Sequence, residues 1–462
     1  MQFNKITQID INVLQSIVDT ERISIGESDL NLHSKDQSQH PAISPEAVIW
    51  PKDIKEISDI LSYANSHLIP VTCWGGGSSL EGNPIPVCHG LVIDFSHMNK
   101  ILEIRPDDFQ ADVEPGVIYQ DLNHKLRHKG LFFPPDPGAR ATIGGMIANN
   151  ASGTRTIRYG STRSNILRLS VVLANGSLLE TGCRSSKTSS GYDLINLFVG
   201  SEGTLGVVTL ATVRLTGLSE MFSAAIVTFP SLKEAGRAVF EIIRSGLDPA
   251  SLEILAPECI SLFNQEKNFK LEVLPTLFME FHGPSQQYLH DTMMINREIC
   301  NGFGCRDFRI GIERKERDEL LMARYELSEM IRRTHPDRSH MVIDTAVPIS
   351  AYPAIISLAR AEVKKTAIPG YVFGHAGDGN LHLVFMGKTG DKKEWIRIGQ
   401  INDKIVEKAI SLGGTATGEH GIGIGKRKFM EMEHGGSLQW MKSIKQLFDP
   451  NGILNPGKIF LP

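Results

Sequence analysis

Apolar and polar positions along the chain alternate between helical and strand-like spacing, and dense glycine interrupts both. Between Asp53 and His67, apolar Ile54, Ile57, Ile60, Leu61 and Ala64 recur at helical intervals, with Asp53 and Glu56 spaced as a capping pair, which predicts a helix. It runs into Ile69-Pro70-Val71-Thr72-Cys73-Trp74, a short β-rich run that stops at three consecutive glycines, and Leu91 to Phe95 follows as another strand. Further strands are predicted at Gln110 to Val113, Leu167 to Ala174 and Val207 to Leu215, with Asn175-Gly176 as a tight turn before Leu178 and Leu179. After Thr216 glycine thins out. The pattern becomes strand-like AAIVTF, a helix from Leu232 to Ser245, then strand-like LEIL and LFMEFH, which suits a sheet covered on one face by helices. Beyond Pro369 the glycines return in GHAGDGN and GEHGIGIGK, and a last helix around Leu438 to Phe448 ends at Asp449-Pro450-Asn451-Gly452. The expected class is α+β, with a first domain over 1–216, a second over 217–415 and a C-terminal segment over 416–462 that packs back on the first.

Composition narrows the classes. A chain of 462 residues exceeds one ordinary core, and 41% hydrophobic with 22% charged residues is the balance of a globular protein. With 48 basic against 52 acidic side chains, a net charge of −4 gives no broad attraction for nucleic acid or an anionic bilayer, so a small-molecule substrate is the simpler expectation. No stretch approaches the roughly 20 apolar residues of a spanning helix, and the start MQFNKITQID has no secretory apolar core, so a cytoplasmic protein is expected. Six scattered cysteines include no CxxC, which argues against a zinc ribbon or iron–sulfur centre.

Three glycine-rich segments carry the binding signal. Trp74-Gly75-Gly76-Gly77-Ser78-Ser79-Leu80-Glu81-Gly82 follows a strand, as a phosphate cradle should, although alone it reads equally well as a flexible loop. The second segment runs from Pro134-Pro135-Asp136-Pro137-Gly138 through Thr142-Ile143-Gly144-Gly145-Met146 to Asn149-Asn150-Ala151-Ser152-Gly153, small residues where a flat ligand could approach the backbone. The third, Gly200-Ser201-Glu202-Gly203-Thr204-Leu205-Gly206, leads into Val207-Val208. Gly421-Ile422-Gly423-Ile424-Gly425-Lys426 lacks the last glycine of GxGxxG, and Arg427 stands where a P-loop needs Ser or Thr, so NAD and ATP are disfavoured.

In order, the segments PPDPGA, GGMIANNASG, RYG, GSEGTLG, GHAGDGNLH, GEHGIGIGK and NPGK resemble the vanillyl-alcohol oxidase/p-cresol methylhydroxylase type of FAD-binding fold. Within it they resemble the D-lactate dehydrogenase and glycolate oxidase subunit family, from about Ala47 to Lys458. The resemblance implies a two-subdomain FAD-binding domain, a cap domain with an antiparallel sheet and helices, and a C-terminal segment completing the active site. It also implies that Gly75, Gly76, Gly77, Ser78 and Ser79 hold the pyrophosphate, that Pro135, Asp136, Thr142, Gly144, Gly145 and Ser152 line the flavin, and that Gly203, Thr204, Gly206, Val207 and Val208 contact the adenosine half. Relatives with covalent flavin usually carry a histidine in the pyrophosphate loop; with Ser78 and Ser79 in that region, non-covalent FAD is expected.

The C-terminal motifs add a second centre. His375 and His382 are seven residues apart and would face opposite sides of an unbroken strand, but Asp378-Gly379-Asn380 is a turn sequence that can fold the chain back so that the rings converge. Glu419 and His420 add a carboxylate and a third imidazole. Two histidines, one carboxylate and open positions make a metal site able to admit substrate, of a kind that accepts zinc, manganese or iron(II). The family resemblance assigns His375, His382 and Glu419 as its ligands.

Oxidising a 2-hydroxy acid requires a proton to leave the hydroxyl while a hydride leaves the adjacent carbon. A chelated divalent ion lowers the hydroxyl pKa and a neutral imidazole accepts the proton, a role expected of His420, with Asn380 expected to help orient the substrate. Arg324, in Leu321-Met322-Ala323-Arg324-Tyr325-Glu326, matches a family position that grips the substrate carboxylate. Relatives acting on 2-hydroxyglutarate carry a lysine in the strand that in this chain reads Met341-Val342-Ile343-Asp344, so a short acid is expected, D-lactate first. Glycolate oxidation or D-2-hydroxyglutarate oxidation is the rival chemistry, and a non-catalytic flavin-binding electron-transfer subunit is the rival from another class. Without a haem motif or cysteine cluster, electrons must leave to an external quinone, cytochrome, other carrier or oxygen. A homodimer and peripheral contact with the inner membrane are left open by the sequence.

Overall fold

In the computed structural model the first helix read from the sequence runs Ile54–Ser66, with Ile57, Ile60, Leu61 and Ala64 on its buried side. Asp53 caps it by accepting from the Glu56 N–H at 2.9 Å, but the capping box is not closed. The Glu56 carboxylate accepts instead from Arg22 Nη1 and Nη2, at 2.6 and 2.7 Å, and from the Lys52 N–H at 2.8 Å. The structure describes residues 3–461 apart from 268, 311–323 and 325.

The chain divides into two units. The first comprises Met1–Ser152, Gly160–Leu218 and Glu419–Pro462; the second comprises Gly153–Tyr159 and Ser219–Gly418. In the first unit a four-stranded sheet has the order Ile23–Ser24, Ala47–Ile49, Leu91–Asp94, Val71–Trp74. The last three strands are parallel and nearly all apolar, as strands buried on both faces must be. A five-stranded antiparallel sheet follows in the order Ile101–Arg105, Gln110–Val113, Val207–Arg214, Ile166–Val172, Leu178–Gly182. Its last two strands are joined at Asn175-Gly176, where Gly176 adopts φ +84°.

The C-terminal segment Glu419–Pro462 belongs to this unit. Leu454 bridges Val71 in parallel register, Phe448 packs edge-on to Phe198 at 5.4 Å, and the Lys445 ammonium donates to Thr204 O at 2.7 Å and Leu454 O at 2.9 Å. Lys458, almost fully buried, donates to Ile85 O at 2.6 Å and Asn455 Oδ1 at 3.0 Å.

The second unit is built on a seven-stranded antiparallel sheet in the order Asp307–Ile310, Phe222–Thr228, Thr276–His282, Pro249–Leu255, Gly370–His375, Asn380–Lys388, Arg338–Ala346. Alternate residues such as Val227, Ile254, Met279, Ile343, Leu381 and Leu383 fill a core beneath the helices Leu232–Arg244, Gln286–Gly302, Tyr352–Lys364 and Lys392–Ser411. The opposite face is not bare. Leu255, Phe373, Val384 and Met386 on that face pack against Cys259, Ile260 and Phe263 of the helix Pro257–Lys267 and against Leu327, Met330 and Ile331. The part of this second face left to polar side chains is where the chemistry gathers.

Candidate active site

In the first unit the strand Val71–Trp74 ends at Gly75, and a Cβ there would sit 2.4 Å from the Thr142 hydroxyl oxygen. That hydroxyl caps the helix Ile143–Asn149 by accepting from Gly145 N at 3.2 Å, so glycine at 75 lets the cap and the loop share one place. Gly77 has φ +63°, a left-handed conformation that also brings it against the Trp74 indole. The result is an open cleft of about 960 Å³ walled by Gly75, Gly76, Gly77, Ser78, Ser79, Thr142, Gly145, Ser152 and Gly203. A second cavity of about 520 Å³ shares Gly75, Thr142, Gly145 and Gly203 with it and adds Gly144, Gly206, Val207 and Val208. A pair of adjoining, backbone-lined cavities fits a ligand with two flat ends and an anionic middle, and FAD has that form. Of the expected contacts, Pro135, Asp136 and Thr204 stand outside both walls. Asp136 is buried, and the Thr204 hydroxyl donates to Ser201 O at 2.7 Å. Cys73 lines both cavities, and burial pushes its thiol up to about 12.

Glu419 and His420 line the same cleft. Ser152 Oγ donates to Glu419 Oε2 at 3.0 Å, and Asn149 Nδ2 donates to His420 O at 3.3 Å, so the Asn149-Asn150-Ala151-Ser152 stretch holds the Glu419-His420 pair in place. From the other side Glu202, fully buried at φ +53°, accepts from Ile422 N at 2.6 Å, Gly423 N at 2.9 Å and Asn83 Nδ2 at 2.8 Å. Burial raises the Glu202 carboxyl above the ordinary range in spite of those donors. Its place in GSEGTLG is visible in the sequence, but its use as a clamp on the later glycine loop is not.

In the second unit the strands Gly370–His375 and Asn380–Lys388 form a hairpin through Ala376–Asp378, with Gly379 at φ +72°. The turn sets Phe373 opposite His382, and the rings of His375 and His382 meet edge to face with centroids 5.1 Å apart. The convergence expected of the two imidazoles is therefore present. Each has an acid beside it. His375 Nδ1 lies 2.6 Å from Glu253 Oε1, and His382 Nδ1 lies 3.7 Å from Asp344 Oδ1. Asp344, fully buried on the neighbouring strand, also accepts from Asn380 Nδ2 at 2.7 Å, Thr417 Oγ1 at 2.8 Å and Gly418 N at 2.8 Å. Asn380 also donates to Thr345 O at 2.9 Å, so its carboxamide has a fixed orientation.

Arg324 donates from Nε to Glu253 Oε2 at 2.8 Å, and its guanidinium stacks over Phe373 with 4.8 Å to the ring centroid. Burial raises the Glu253 carboxyl, but His375 and Arg324 outweigh it and hold the group below the ordinary carboxylate range. Glu253 and Asp344 were not among the residues singled out from the sequence. The available signal was an acid inside an otherwise apolar strand, in Leu252-Glu253-Ile254-Leu255 and in Val342-Ile343-Asp344, positions where an unpartnered charge would be costly.

Comparison with known proteins gives the family and the fold. Residues 45–182 match the FAD binding domain family and residues 219–459 match the C-terminal domain of FAD linked oxidases. The chain is 36% identical over 453 residues to the probable mitochondrial D-lactate dehydrogenase of Danio rerio, covering 97% of this chain and 91% of that protein. It is 37% identical to the glycolate oxidase subunit GlcD of Bacillus subtilis, over 93% of this chain and 92% of that one. Among solved structures it superposes on 4-ethylphenol oxidase from Gulosibacter chungangensis with a TM-score of 0.80 over 98% of this chain and 96% of that one, at 18% identity. Among the described residues no helix is long and apolar enough to cross a membrane.

Proposed function

Given that the chain belongs to the FAD-linked D-lactate dehydrogenase and glycolate oxidase subunit family of the vanillyl-alcohol oxidase/p-cresol methylhydroxylase fold, we propose that it oxidises a small D-2-hydroxy acid, D-lactate first among them, to the 2-keto acid. The observation that carries this reading is the pair of buried imidazoles backed by Glu253 and Asp344, on a sheet face that also bears Asn380. A neutral histidine whose Nδ1 faces a carboxylate offers Nε2 to a ligand, so the donor set of His375 and His382 suits zinc, manganese or iron(II). Glu419 is the residue after Gly418, whose N–H Asp344 holds, and that covalent link supports it as the third ligand. The bound groups supply a two-electron acceptor, in non-covalent FAD, and a Lewis acid for the substrate hydroxyl.

The chain's own residues do the rest. The Arg324 guanidinium takes the substrate carboxylate, the Asn380 carboxamide orients the hydroxyl, and the His420 imidazole, against the glycine-lined cleft, accepts the hydroxyl proton. The strand that carries Asp344 supports a short substrate. Met341-Val342-Ile343-Asp344 holds no cation for a second substrate carboxylate. FAD held by the glycine-lined cleft would need an external quinone, cytochrome or other carrier as the final electron acceptor. A cytoplasmic location belongs to the same proposal.

Anaerobic mixing of the purified holoprotein with D-lactate, L-lactate, glycolate and D-2-hydroxyglutarate tests the reading. Rapid bleaching of the flavin by D-lactate is expected. Preferential bleaching by glycolate would move the assignment to the glycolate oxidase branch, and bleaching by none of the four would favour a non-catalytic electron-transfer subunit.

A further inference from the structure

Glu253 stands on the strand Pro249–Leu255 directly opposite His375 on the neighbouring antiparallel strand, so the two side chains leave the sheet on the same face. It is 1% exposed, and a carboxylate so deeply buried is retained only when it is paired on both oxygens. It is. One oxygen faces His375 Nδ1 at 2.6 Å, and the other accepts from Arg324 Nε at 2.8 Å. Phe373, two residues before His375 on that face, supports the guanidinium from its ring side and meets the His382 ring at 5.4 Å.

We infer that Glu253 is a positioning residue that couples two functions through one carboxylate: it orients His375 for a divalent cation and, with its other oxygen, fixes the arginine that receives the substrate carboxylate. The inference rests on the reading above. It adds a residue that the sequence motifs do not contain and a linkage between metal affinity and substrate affinity. On the histidine side, an anionic Glu253 selects the tautomer with the proton on Nδ1, leaves the Nε2 lone pair outward and raises its basicity. On the arginine side it engages Nε, holding the planar fork against Phe373 so that less freedom is lost when an anion binds. A neutral acceptor in its place, at a position 1% exposed, weakens both hydrogen bonds.

The test uses full-length holoprotein, stripped of metal by a chelator and dialysed with flavin retained. Zn²⁺ affinity is read by competition with a chromophoric chelator, and KM and kcat for D-lactate are read after reloading. In Glu253→Gln, Zn²⁺ affinity is expected to fall roughly tenfold to hundredfold, the range for removing such an outer partner. KM for D-lactate is expected to rise about tenfold or more with a smaller change in kcat. Glu253→Asp keeps the charge but retracts it by one methylene, and should fall between the two in both readouts; it replaces Glu253→Gln if that variant does not fold. Zn²⁺ affinity and KM both within about twofold of wild type in a folded variant would overturn the inference while leaving the metal centre standing. A shift in one without the other would refute the coupling. Wild-type protein that binds neither Zn²⁺ nor Mn²⁺ stoichiometrically would sink the metal centre and this inference together.

Discussion

The glycine-lined cleft of the first unit and the polar face of the sheet in the second are built by opposite means. In the cleft the important atoms belong to the backbone, and the side chains matter mostly by being absent: Gly75 leaves room for the Thr142 cap and Gly77 turns where other residues resist. On the sheet the important atoms are at the ends of side chains, and the backbone contributes only register, setting Glu253 opposite His375 and Asp344 opposite His382. A site made of missing side chains is written contiguously in the chain, while a site made by register is scattered over strands far apart in sequence.

The comparison can be broken most severely by removing a ligand from the sheet. His382→Ala should abolish stoichiometric metal binding and slow turnover roughly thousandfold, equivalent to the several kcal/mol a bound cation contributes, while flavin content measured by absorbance stays at the wild-type level. Loss of flavin in that variant would mean that the two regions are not separable. His420→Ala should leave flavin and metal bound but slow flavin reduction by D-lactate at least about a hundredfold in stopped flow. Normal reduction would remove that residue from the mechanism.

Lys458 sharpens the description of the first unit through pH. Burial lowers its ammonium to about 8, from 10.5, although Glu202 pulls the other way. Between those values the unfolded chain holds more protons than the folded one, so this group makes stability rise with pH from about 8 to 10.5 and contributes a constant penalty below 8. In Lys458→Met the rise should disappear, flattening melting temperature against pH over that window by a few degrees. An unchanged slope would mean that the ammonium is hydrated. The smallest effect concerns the cleft wall. With its thiol pushed up to about 12, Cys73 should resist iodoacetamide at pH 8, and peptide mapping that finds it carboxamidomethylated would refute that raised thiol.

Much of this organisation was legible in the chain. The helix after Asp53, the hairpin at Asn175-Gly176 and the convergence of His375 and His382 through Asp378-Gly379-Asn380 follow from local rules of capping, turn chemistry and strand parity. The tail's return to the first unit was expected from the glycines that reappear beyond Pro369 and the last helix ending at Asp449-Pro450-Asn451-Gly452. What stayed hidden depends on pairing between distant strands. Glu253 lies 122 residues before His375, and nothing in Leu252-Glu253-Ile254-Leu255 announces which strand will lie alongside. Likewise, the transfer of Gly153–Tyr159 to the second unit is decided by tertiary packing, since those residues sit inside a motif that reads as part of the first. The incomplete capping box at Asp53 has in part the same origin: Arg22, 34 residues upstream of Glu56, shares with the Lys52 N–H the carboxylate that local spacing would assign to the Asp53 N–H.

The hairpin between His375 and His382 has no slack. Because neighbouring residues of a strand point to opposite faces, deleting or adding a single residue in Ala376–Gly379 would send the second imidazole into the helix-covered layer and present Leu381 or Leu383 in its stead. Gly379, at φ +72° and with no room for a Cβ beside Val347 O, is fixed in identity, and the turn is fixed in length. Homologues that keep the chemistry should align along this turn without gaps, and a length change would mark lineages that have abandoned it.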